Sequence, residues 1–314
     1  MLAVGNTVYY NDEYFPLARP HVIYDNYPTH QTKDSLKLVQ HLFQLKIDAV
    51  IWGVAMTLPF YRKASAMLHK FGIVQVLLFH SLAIDSSLKG KLMEWLIAIS
   101  LHHIDHLVFV SRFTDESWSR KYWWVRSHKS HHVIYNPICL DGQTQCLSKI
   151  NPTRIGFVGR FSPEKQPELF ARLSQDDETN SYIAWGEGML LADLRDRYPR
   201  VFFKGQSMNQ DAIYKSFDIL VLTSRFENCP MVILEARRQG IPCVAPRVGG
   251  IPEIVTHGVD GMLYDDYTTH SIHQSIKKIQ DSYNVFSTHC LQSVQHYSYH
   301  TLYHEWIALL SHSK

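Results

Sequence analysis

The sequence lacks long apolar runs, paired cysteines and a strong charge of one sign. No run of roughly 18 or more apolar residues occurs among the 314 residues, so no segment has the length and character of an ordinary transmembrane helix. The five cysteines include no C-x-x-C pair, which predicts a reduced and therefore cytoplasmic compartment. A net charge of +2 is too small for the electrostatic footprint of a nucleic-acid-binding protein, so we expect no nucleic-acid partner.

Metal-binding and dinucleotide-binding patterns are incomplete. His102 and His106 are four residues apart, but His103 stands where an H-E-x-x-H motif needs glutamate, and no third ligand is indicated. Histidines at this place also suit the negative end of a helix dipole. We therefore expect no metal site.

Gly186-Glu187-Gly188 lacks the third glycine of a dinucleotide fingerprint, because Leu191 occupies that position.

What is present is an alternation of short apolar runs with amphipathic segments of helical length. This pattern predicts a mostly parallel sheet with helices on both faces. The pattern loosens between Pro137 and Pro152, so we predict two domains, 1–150 and 151–314. In the first domain the predicted strands are His21–Tyr24, Ala49–Trp52, Ile73–Phe79, Leu107–Val110 and His132–Tyr135, and the predicted helices are Thr32–Leu45, Leu58–Lys70, Leu88–His103 and Thr114–Trp123.

A basic loop follows the first predicted strand of the second domain, Arg154–Val158. Residues 162–163, a serine and a proline, predict a helix start, which places Lys165 in the first turn, where the helix dipole disfavours a cation. Arg160 lies just upstream. Two cations at a helix N-terminus predict a bound anion such as a phosphate. The alternative is a solvated surface pair with Glu164 or Glu168.

Two glutamates, Glu227 and Glu235, have seven residues between them. Glu227 lies in the loop after a predicted strand, Ile219–Leu222, and Glu235 lies inside the helix that Pro230 opens. Both should face the crevice in which open α/β sheets bind ligands. The free N–H groups of the first helical turn favour anions, whereas carboxylates accept hydrogen bonds from vicinal hydroxyls. A ligand with hydroxyl groups next to phosphates would suit both kinds of group, and a nucleotide-sugar is such a ligand.

Two features of the first domain have two interpretations each. His80 ends a predicted strand, where an imidazole suits a sugar hydroxyl or caps the following loop. The stretch Ser119–Lys129 mixes four cations with one tyrosine and two tryptophans, which suits a membrane interface with anionic headgroups. The alternative is that the tryptophans pack inward and the cations are solvated.

The second half resembles the retaining glycosyltransferases of family 4, the glycosyl transferases group 1. The segments that carry the resemblance follow one another in order: IGFVGRFSPEKQPELF, YIAWGEGML, SRFENCPMVILEA with its E-x7-E spacing, GIPCVAPRVGGIPEIVTHGVDGMLY and YSYHTLYHEWIALL. The resemblance implies the α/β fold named GT-B, with two Rossmann-like doubly wound domains facing a central cleft. The last helix, about 299–311, would pack back on the N-terminal domain. Because no paired glycines precede residue 50, we expect an abbreviated N-terminal domain.

The resemblance also implies roles for individual residues. Glu235 would hold the ribose hydroxyls, Glu227 would contact the donor sugar, and Arg160 and Lys165 would neutralise the diphosphate leaving group. His80 would lie near the transferred sugar. The remaining expected donor contacts are Gly159, Gln206 in the loop that passes the base, Asn228, Cys229, Met231 and Val232.

The activity that the resemblance implies is that of a retaining, metal-independent hexosyltransferase without a cofactor. Its donor would be a UDP- or GDP-linked sugar, and its acceptor a glycan, a lipid-linked sugar or another hydroxyl, in polysaccharide, lipopolysaccharide or glycolipid synthesis. We expect a cytoplasmic protein with peripheral contact to the inner membrane face through Arg120–Lys129. Two alternatives are a nucleotide-sugar epimerase of GT-B type and a non-catalytic nucleotide-sugar-binding subunit.

Overall fold

The chain divides into two compact units. The computed structural model describes residues 2–4, 23–24, 39, 42, 47–52, 62–83, 95, 97–98, 101–140 and 153–311. One unit comprises residues 1–135 and 302–314, and the other comprises residues 136–301. This division falls after residue 135, whereas the sequence places the boundary at 150, and residues 141–152 of the predicted linker lie outside the described part.

The first unit contains a parallel sheet. Among the described residues it has six strands in the order β2-β1-β3-β4-β5-β6. The strands are β1 (Leu2–Val4), β2 (Ile23–Tyr24), β3 (Ala49–Trp52), β4 (Val74–Phe79), β5 (His106–Phe109) and β6 (His131–Val133). The accompanying helices are α1 (Arg62–Lys70), α2 (Arg112–Lys121) and α3 (Trp123–Arg126), with a 3-10 turn at Leu101–His103.

Burial on both faces explains why these strands are continuous apolar runs. Every residue of β3 is buried, and so are five of the six residues of β4, as expected of a parallel sheet covered on both sides. The predicted strands of this unit are confirmed to within two residues wherever they are described. β1 was not predicted, because three apolar residues are too few for a periodic pattern.

Parts of the predicted helices fall where the structure is not described. Most of Thr32–Leu45 and Leu88–His103, as well as residues 58–61 and 21–22, lie outside the described residues. Val39, Leu42 and Ile97, which are described, are helical and buried. The helix predicted at Thr114–Trp123 is two helices instead, because Tyr122 is extended between α2 and α3.

The second unit contains a doubly wound parallel sheet. Among the described residues its six strands have the order β12-β11-β10-β7-β8-β9. They are β7 (Arg154–Val158), β8 (Ser181–Trp185), β9 (Val201–Gly205), β10 (Ile219–Val221), β11 (Cys243–Pro246) and β12 (Gly261–Tyr264). The strand order reverses between β7 and β10, and open α/β sheets bind ligands beyond the carboxyl ends of the strands at such a reversal.

Helices and short turns connect these strands or follow the last of them. They are a 3-10 turn (Pro163–Lys165), α4 (Pro167–Asp176), α5 (Leu191–Arg197), α6 (Gln210–Tyr214), α7 (Met231–Arg238), α8 (Ile251–Ile254), α9 (Thr269–Asp281), α10 (Tyr283–Ser293) and a second 3-10 turn (Val294–Tyr297). Gly240 follows the end of α7 with a φ of 71°, which favours glycine.

The Gly-x-Gly segment after β8 packs against the loop after β7. A Cβ at Gly186 would lie 1.9 Å from the carbonyl oxygen of Gly159, and one at Gly188 would lie 2.4 Å from that of Phe161. Backbone hydrogen bonds join the same loops, since Gly159 donates to the carbonyl of Trp185 at 3.0 Å. Both glycines are therefore required for close backbone approach.

A buried ion pair fixes α7 to the turn before β12. Arg237 Nη2 donates to Asp260 Oδ1 at 2.8 Å, and the two side chains are 1% and 3% exposed. The same oxygen accepts from the backbone N–H of Thr256 at 2.8 Å. Cys290 of α10 donates from Sγ to the carbonyl of Asp260 at 3.2 Å. One aspartate thereby connects three elements behind the sheet.

Helix α11, Tyr299–Ser311, contributes to the core of the first unit. Leu302 and Leu309 lie seven residues apart and share one helix face. They are buried in a cluster with Ile51, Val76, Val108 and Ile134. The C-terminal helix therefore covers the residues that β3, β4 and β5 present on that side of their sheet.

Candidate functional site

A cavity of about 190 Å³ lies in the second unit beside the strand-order reversal. The end of β7, the loop after β10 and the start of α7 enclose it. Its lining residues are Phe157, Val158, Gly159, Lys165, Leu222, Ser224, Glu227, Pro230, Met231 and Val232. Five of the predicted site residues are thus brought together, namely Gly159, Lys165, Glu227, Met231 and Val232.

Lys165 and Glu227 form an ion pair inside this cavity. Lys165 Nζ donates to Glu227 Oε1 at 2.6 Å, and the hydroxyl of Ser224 donates to the same oxygen at 2.7 Å. The side chains of Lys165 and Glu227 are 28% and 10% exposed, so solvent screens their attraction only in part. The cavity therefore presents a cation and a carboxylate side by side, which suits a ligand with both phosphate and hydroxyl groups.

The backbone before Lys165 differs from the predicted helix start. Ser162 and Pro163 begin a 3-10 turn of three residues rather than an α-helix. Gln166 then has a φ of 45°, and α4 begins only at Pro167. Lys165 is therefore not in the first turn of an α-helix, and the prediction of an unfavourable helix dipole at this lysine is wrong. Its partner is the distant Glu227 rather than a neighbour on the same helix.

Hydrogen bonds join the loop after β7 to the loop after β10. Thr223 Oγ1 lies 2.8 Å from the carbonyl of Lys165 and 2.9 Å from that of Gln166, and Arg225 N donates to the carbonyl of Glu164 at 2.9 Å. In the orientation that satisfies its neighbours, the Gln166 amide donates to the Thr223 carbonyl at 3.0 Å and accepts from Arg225 Nε at 3.1 Å. These contacts set the distance between the lysine and the carboxylate.

The glycine pair after β11 holds the backbone of Glu227. Gly250 N donates to the carbonyl of Glu227 at 3.0 Å. Gly249 has a φ of 57°, and a Cβ there would lie 1.8 Å from the same carbonyl oxygen. Only glycine satisfies both conditions. The sequence did not predict that this pair belongs to the site, although two adjacent glycines shortly after a strand were the available signal.

Glu235 lies in the middle of α7 and outside the cavity lining described above. Gln210 Nε2 donates to its Oε1 at 3.1 Å, and the hydroxyl of Tyr214 donates to its Oε2. Burial raises the pKa of this carboxyl, while the hydrogen bond from Tyr214 and the charge of Arg238 act in the opposite direction. Both partners come from α6, and neither was predicted from the sequence.

Arg160 and Gln206 are exposed side chains outside the cavity lining within the described residues. The Arg160 side chain is 72% exposed, and its Nη1 lies 3.7 Å from Glu164 Oε1. The solvated pairing that the sequence left open is thus present at Arg160. Gln206 directly follows β9.

Asn228 and Cys229 connect Glu227 to α7. Asn228 is half-buried and Cys229 is buried. The carbonyl of Cys229 accepts from Asn136 Nδ2 at 3.1 Å, and burial raises the pKa of its thiol to about 11. The thiol is therefore protonated at neutral pH, so this segment contributes backbone and packing rather than a thiolate.

His80 follows β4 in the first unit and is half-buried. Burial lowers its pKa and so favours the neutral form of the imidazole. A neutral imidazole has one donor and one acceptor nitrogen, as the hydroxyl-binding interpretation needs.

The stretch Ser119–Lys129 separates its three aromatic residues. Tyr122 is buried, and Trp124 stacks on it with ring centroids 5.0 Å apart, as the inward-packing interpretation predicts. Trp123 begins α3 and is 74% exposed. The four cations of the stretch, Arg120, Lys121, Arg126 and Lys129, are exposed as well.

Two histidines near the 3-10 turn of the first unit, His106 and His132, form local hydrogen bonds. His106 Nδ1 lies 2.6 Å from Ser130 Oγ, which also lies 2.7 Å from His132 Nε2. Within the described ranges, no group of three or more histidine, cysteine, aspartate or glutamate side chains is arranged to hold a metal ion. In the same part of the chain, every helix is too short or too polar to span a bilayer.

Sequence comparison connects the second unit to a known family. Residues 152–282 match the family described as Glycosyl transferases group 1. The chain is 28% identical over 188 residues to the Vi polysaccharide biosynthesis protein VipC/TviE of Salmonella typhi, a match to 52% of this chain and 32% of that protein. It is 34% identical over 113 residues to a GDP-mannose-dependent alpha-mannosyltransferase of Corynebacterium glutamicum, covering 35% of this chain and 27% of that protein. The chain therefore matches about a third or less of these relatives' own length.

Among solved structures, the fold is similar to that of Anabaena Alr3699/HepE in complex with UDP. The TM-score is 0.75 at 19% identity, over 93% of this chain and 85% of that chain. At this identity the likeness establishes the fold, which is the GT-B fold with two Rossmann-like domains expected from the sequence. Residues 152–282 thus match the glycosyl transferases group 1 family, within a chain that has the GT-B fold.

Proposed function

We propose that the protein is a glycosyltransferase that moves a hexose-type sugar from a nucleotide-diphosphate donor to a hydroxyl acceptor, with retention of configuration. The observation that carries the proposal is the pair of Lys165 and Glu227 at 2.6 Å in the cavity beside the strand-order reversal. A phosphate-binding cation and a hydroxyl-binding carboxylate in one cavity match the two ends of a sugar–phosphate bond.

In this proposal the donor occupies the cavity with its diphosphate at Lys165. The first N–H groups of α7, at Met231 and Val232, add donors for the phosphates because they have no partners within the helix. Glu227 has one oxygen bound by Lys165 and Ser224, and its Oε2 is directed to hydroxyls of the sugar. Arg160 would reach the diphosphate from the solvent side, His80 would approach the transferred sugar, and Glu235 would hold the ribose.

The transfer step needs no nucleophile from the protein. The acceptor oxygen attacks the anomeric carbon on the face that the leaving group occupies, and the bond from that carbon to the phosphate oxygen breaks. The leaving diphosphate takes the electron pair and then the acceptor's proton, which balances the reaction and retains the configuration. Lys165 and the α7 N–H groups stabilise the charge that develops on the diphosphate. Metal independence is part of the proposal, because the lysine and helix terminus supply the positive charge.

The comparisons support a UDP- or GDP-linked donor. One similar structure contains UDP, and one similar protein is named for GDP-mannose. A third is named for polysaccharide biosynthesis, which supports a glycan or lipid-linked acceptor in that type of pathway.

Calorimetry with UDP- and GDP-sugars tests the donor site. Lys165→Ala and Glu235→Ala should each weaken binding at least tenfold, since hydrogen bonds to charged groups contribute about 1.5–3 kcal/mol. Matched controls are Lys277→Ala and Glu178→Ala, whose side chains are 69% and 90% exposed on the second unit. Unchanged affinity in both site variants would exclude this donor site.

Turnover assays separate the proposal from its alternatives. A transferase releases UDP or GDP only when an acceptor is present and forms a new glycoside. An epimerase would convert the donor sugar alone, which NMR of the donor detects. A binding subunit would bind the donor and turn over neither substrate.

We also propose a cytoplasmic location with peripheral contact to the inner membrane face through Arg120–Lys129. An exposed tryptophan among four exposed cations is the combination that partitions into an anionic membrane surface. Trp123→Ala and Arg126→Ala should each reduce co-sedimentation with phosphatidylglycerol vesicles, the latter by about fivefold. Phe202→Ala removes a side chain that is 57% exposed on the second unit and should have no effect. Equal binding to phosphatidylcholine and phosphatidylglycerol vesicles would exclude this contact.

A further inference from the structure

Helix α6 presents two side chains to Glu235. Asn209 caps this helix, since its side-chain oxygen accepts from Ala212 N at 3.0 Å. Gln210 and Tyr214 are four residues apart and so lie on one face. Each donates to a different oxygen of Glu235, Gln210 to Oε1 at 3.1 Å and Tyr214 to Oε2.

Tyr214 is held firmly in place. It is 2% exposed, and its ring lies edge-on to Phe217 with centroids 5.7 Å apart. Phe217 is fully buried against β7, where a Cβ at Gly156 would lie 2.1 Å from the phenyl ring. The hydroxyl of Tyr214 is therefore a fixed donor, and the oxygen that it contacts is fixed with it.

A carboxylate has about four lone-pair sites on its two oxygens. With one donor from α6 on each oxygen, Glu235 keeps acceptor capacity on both oxygens, and the plane of the group is set. Two adjacent hydroxyls match two such oxygens, whereas a single hydroxyl leaves one of them without its ligand partner.

We propose that Tyr214 and Gln210 are positioning residues that orient Glu235 to bind both hydroxyls of a ribose, so that the site selects ribonucleotides over 2′-deoxyribonucleotides. The inference rests on the proposed function and deepens it, because it assigns the selection for the ribose to α6. Neither residue contacts the reacting atoms in this proposal.

The experiment compares the affinities of UDP and 2′-deoxy-UDP, and of GDP and 2′-deoxy-GDP, by calorimetry. The unaltered full chain should prefer the ribonucleotide by about tenfold or more, the value of a hydrogen bond to a charged group. Tyr214→Phe keeps the ring and its packing but removes the donor. It should weaken ribonucleotide binding about tenfold and bring the ratio of the two affinities close to one. Gln210→Ala should act in the same direction to a smaller extent.

Tyr198→Phe is the matched control. Tyr198 is 4% exposed and its hydroxyl donates to Glu168 Oε1 at 3.2 Å, so this variant loses a similar bond elsewhere in the unit. It should leave the ratio unchanged. The inference would be overturned if Tyr214→Phe kept the ratio of ribonucleotide to 2′-deoxyribonucleotide affinity of the unaltered chain, even if both affinities fell. If the unaltered chain binds neither UDP nor GDP, the proposed function itself fails, and this inference fails with it.

Discussion

The ion pair between Lys165 and Glu227 predicts opposite effects of one substitution on two ligands. Glu227→Gln keeps the size and the acceptor oxygen of the side chain but removes its charge. The lysine then has no counter-charge until a diphosphate binds. UDP has the diphosphate but lacks the hexose that Glu227 would contact, so we expect its affinity to rise in this variant. A UDP- or GDP-sugar also needs the carboxylate for its hydroxyls, so its affinity and its turnover should fall.

The size of the effect follows from the exposure of the pair. Exposed ion pairs contribute about 0–1 kcal/mol, and removing one partner of a buried pair costs about 3–5 kcal/mol. At 28% and 10% exposure this pair lies between those limits. UDP must compete with a net attraction on the order of 1 kcal/mol, so its affinity should rise by about fivefold. Lys165→Met should instead lower UDP affinity by about 10- to 100-fold, because it removes a charged donor.

Calorimetric titration of both variants with UDP at low and high salt measures the effect. The rise in UDP affinity caused by Glu227→Gln should shrink as the salt concentration increases, because ions screen the charge of Lys165 that the substitution releases. Asp281→Asn is the control, since it neutralises the exposed pair that Lys277 forms with Asp281 at 3.0 Å. A fall in UDP affinity in Glu227→Gln as large as that in Lys165→Met would refute the competition between carboxylate and phosphate.

Three further predictions concern the same unit. Asp260→Ala leaves the buried Arg237 without its counter-ion and should lower the free energy of unfolding by about 3–5 kcal/mol, measured by urea denaturation. Gly249→Ala places a methyl group 1.8 Å from a carbonyl oxygen and should weaken donor binding at least about tenfold. Gly258→Ala is the control, because Gly258 has a φ of 79° but open space around it. This variant should have only the cost of a left-handed backbone and no steric clash. Because burial raises the pKa of Glu235, UDP affinity should fall on acidification at a higher pH than an exposed glutamate would cause. Glu235→Gln should remove this pH dependence in calorimetry.

The strands and the location of the cavity could be predicted from the sequence because their causes are local. Strands buried on both faces have apolar centres, so β3, and β7 with its three buried central residues, were predicted with their observed bounds. The segment from Ile219 to Glu235 shows a strand, a polar loop and a proline-started helix within 17 residues. Such a sequence places a loop at the carboxyl end of a parallel strand without any knowledge of distant contacts.

The partners of the site residues could not be predicted, because they depend on contacts between distant positions. Lys165 and Glu227 are 62 residues apart, and the left-handed residue that turns the chain before α4 is a glutamine rather than a glycine. A left-handed backbone conformation favours glycine, so a glutamine at this position gave no local signal of the turn. In the aromatic stretch, the extended Tyr122 between two helices turns Trp123 outward and Trp124 inward, which helical periodicity alone does not show.

The hydrogen bonds between the loops after β7 and β10 have a consequence for engineering donor preference. Thr223 and Arg225 bind the backbone of the segment that carries Lys165, so the two loops form one exchangeable part. If only one of the two loops were taken from a relative, its lysine or its carboxylate would be placed for a different lysine–carboxylate distance. Grafts that exchange residues 159–166 and 223–230 together should preserve a functional donor site, whereas grafts of either loop alone should not.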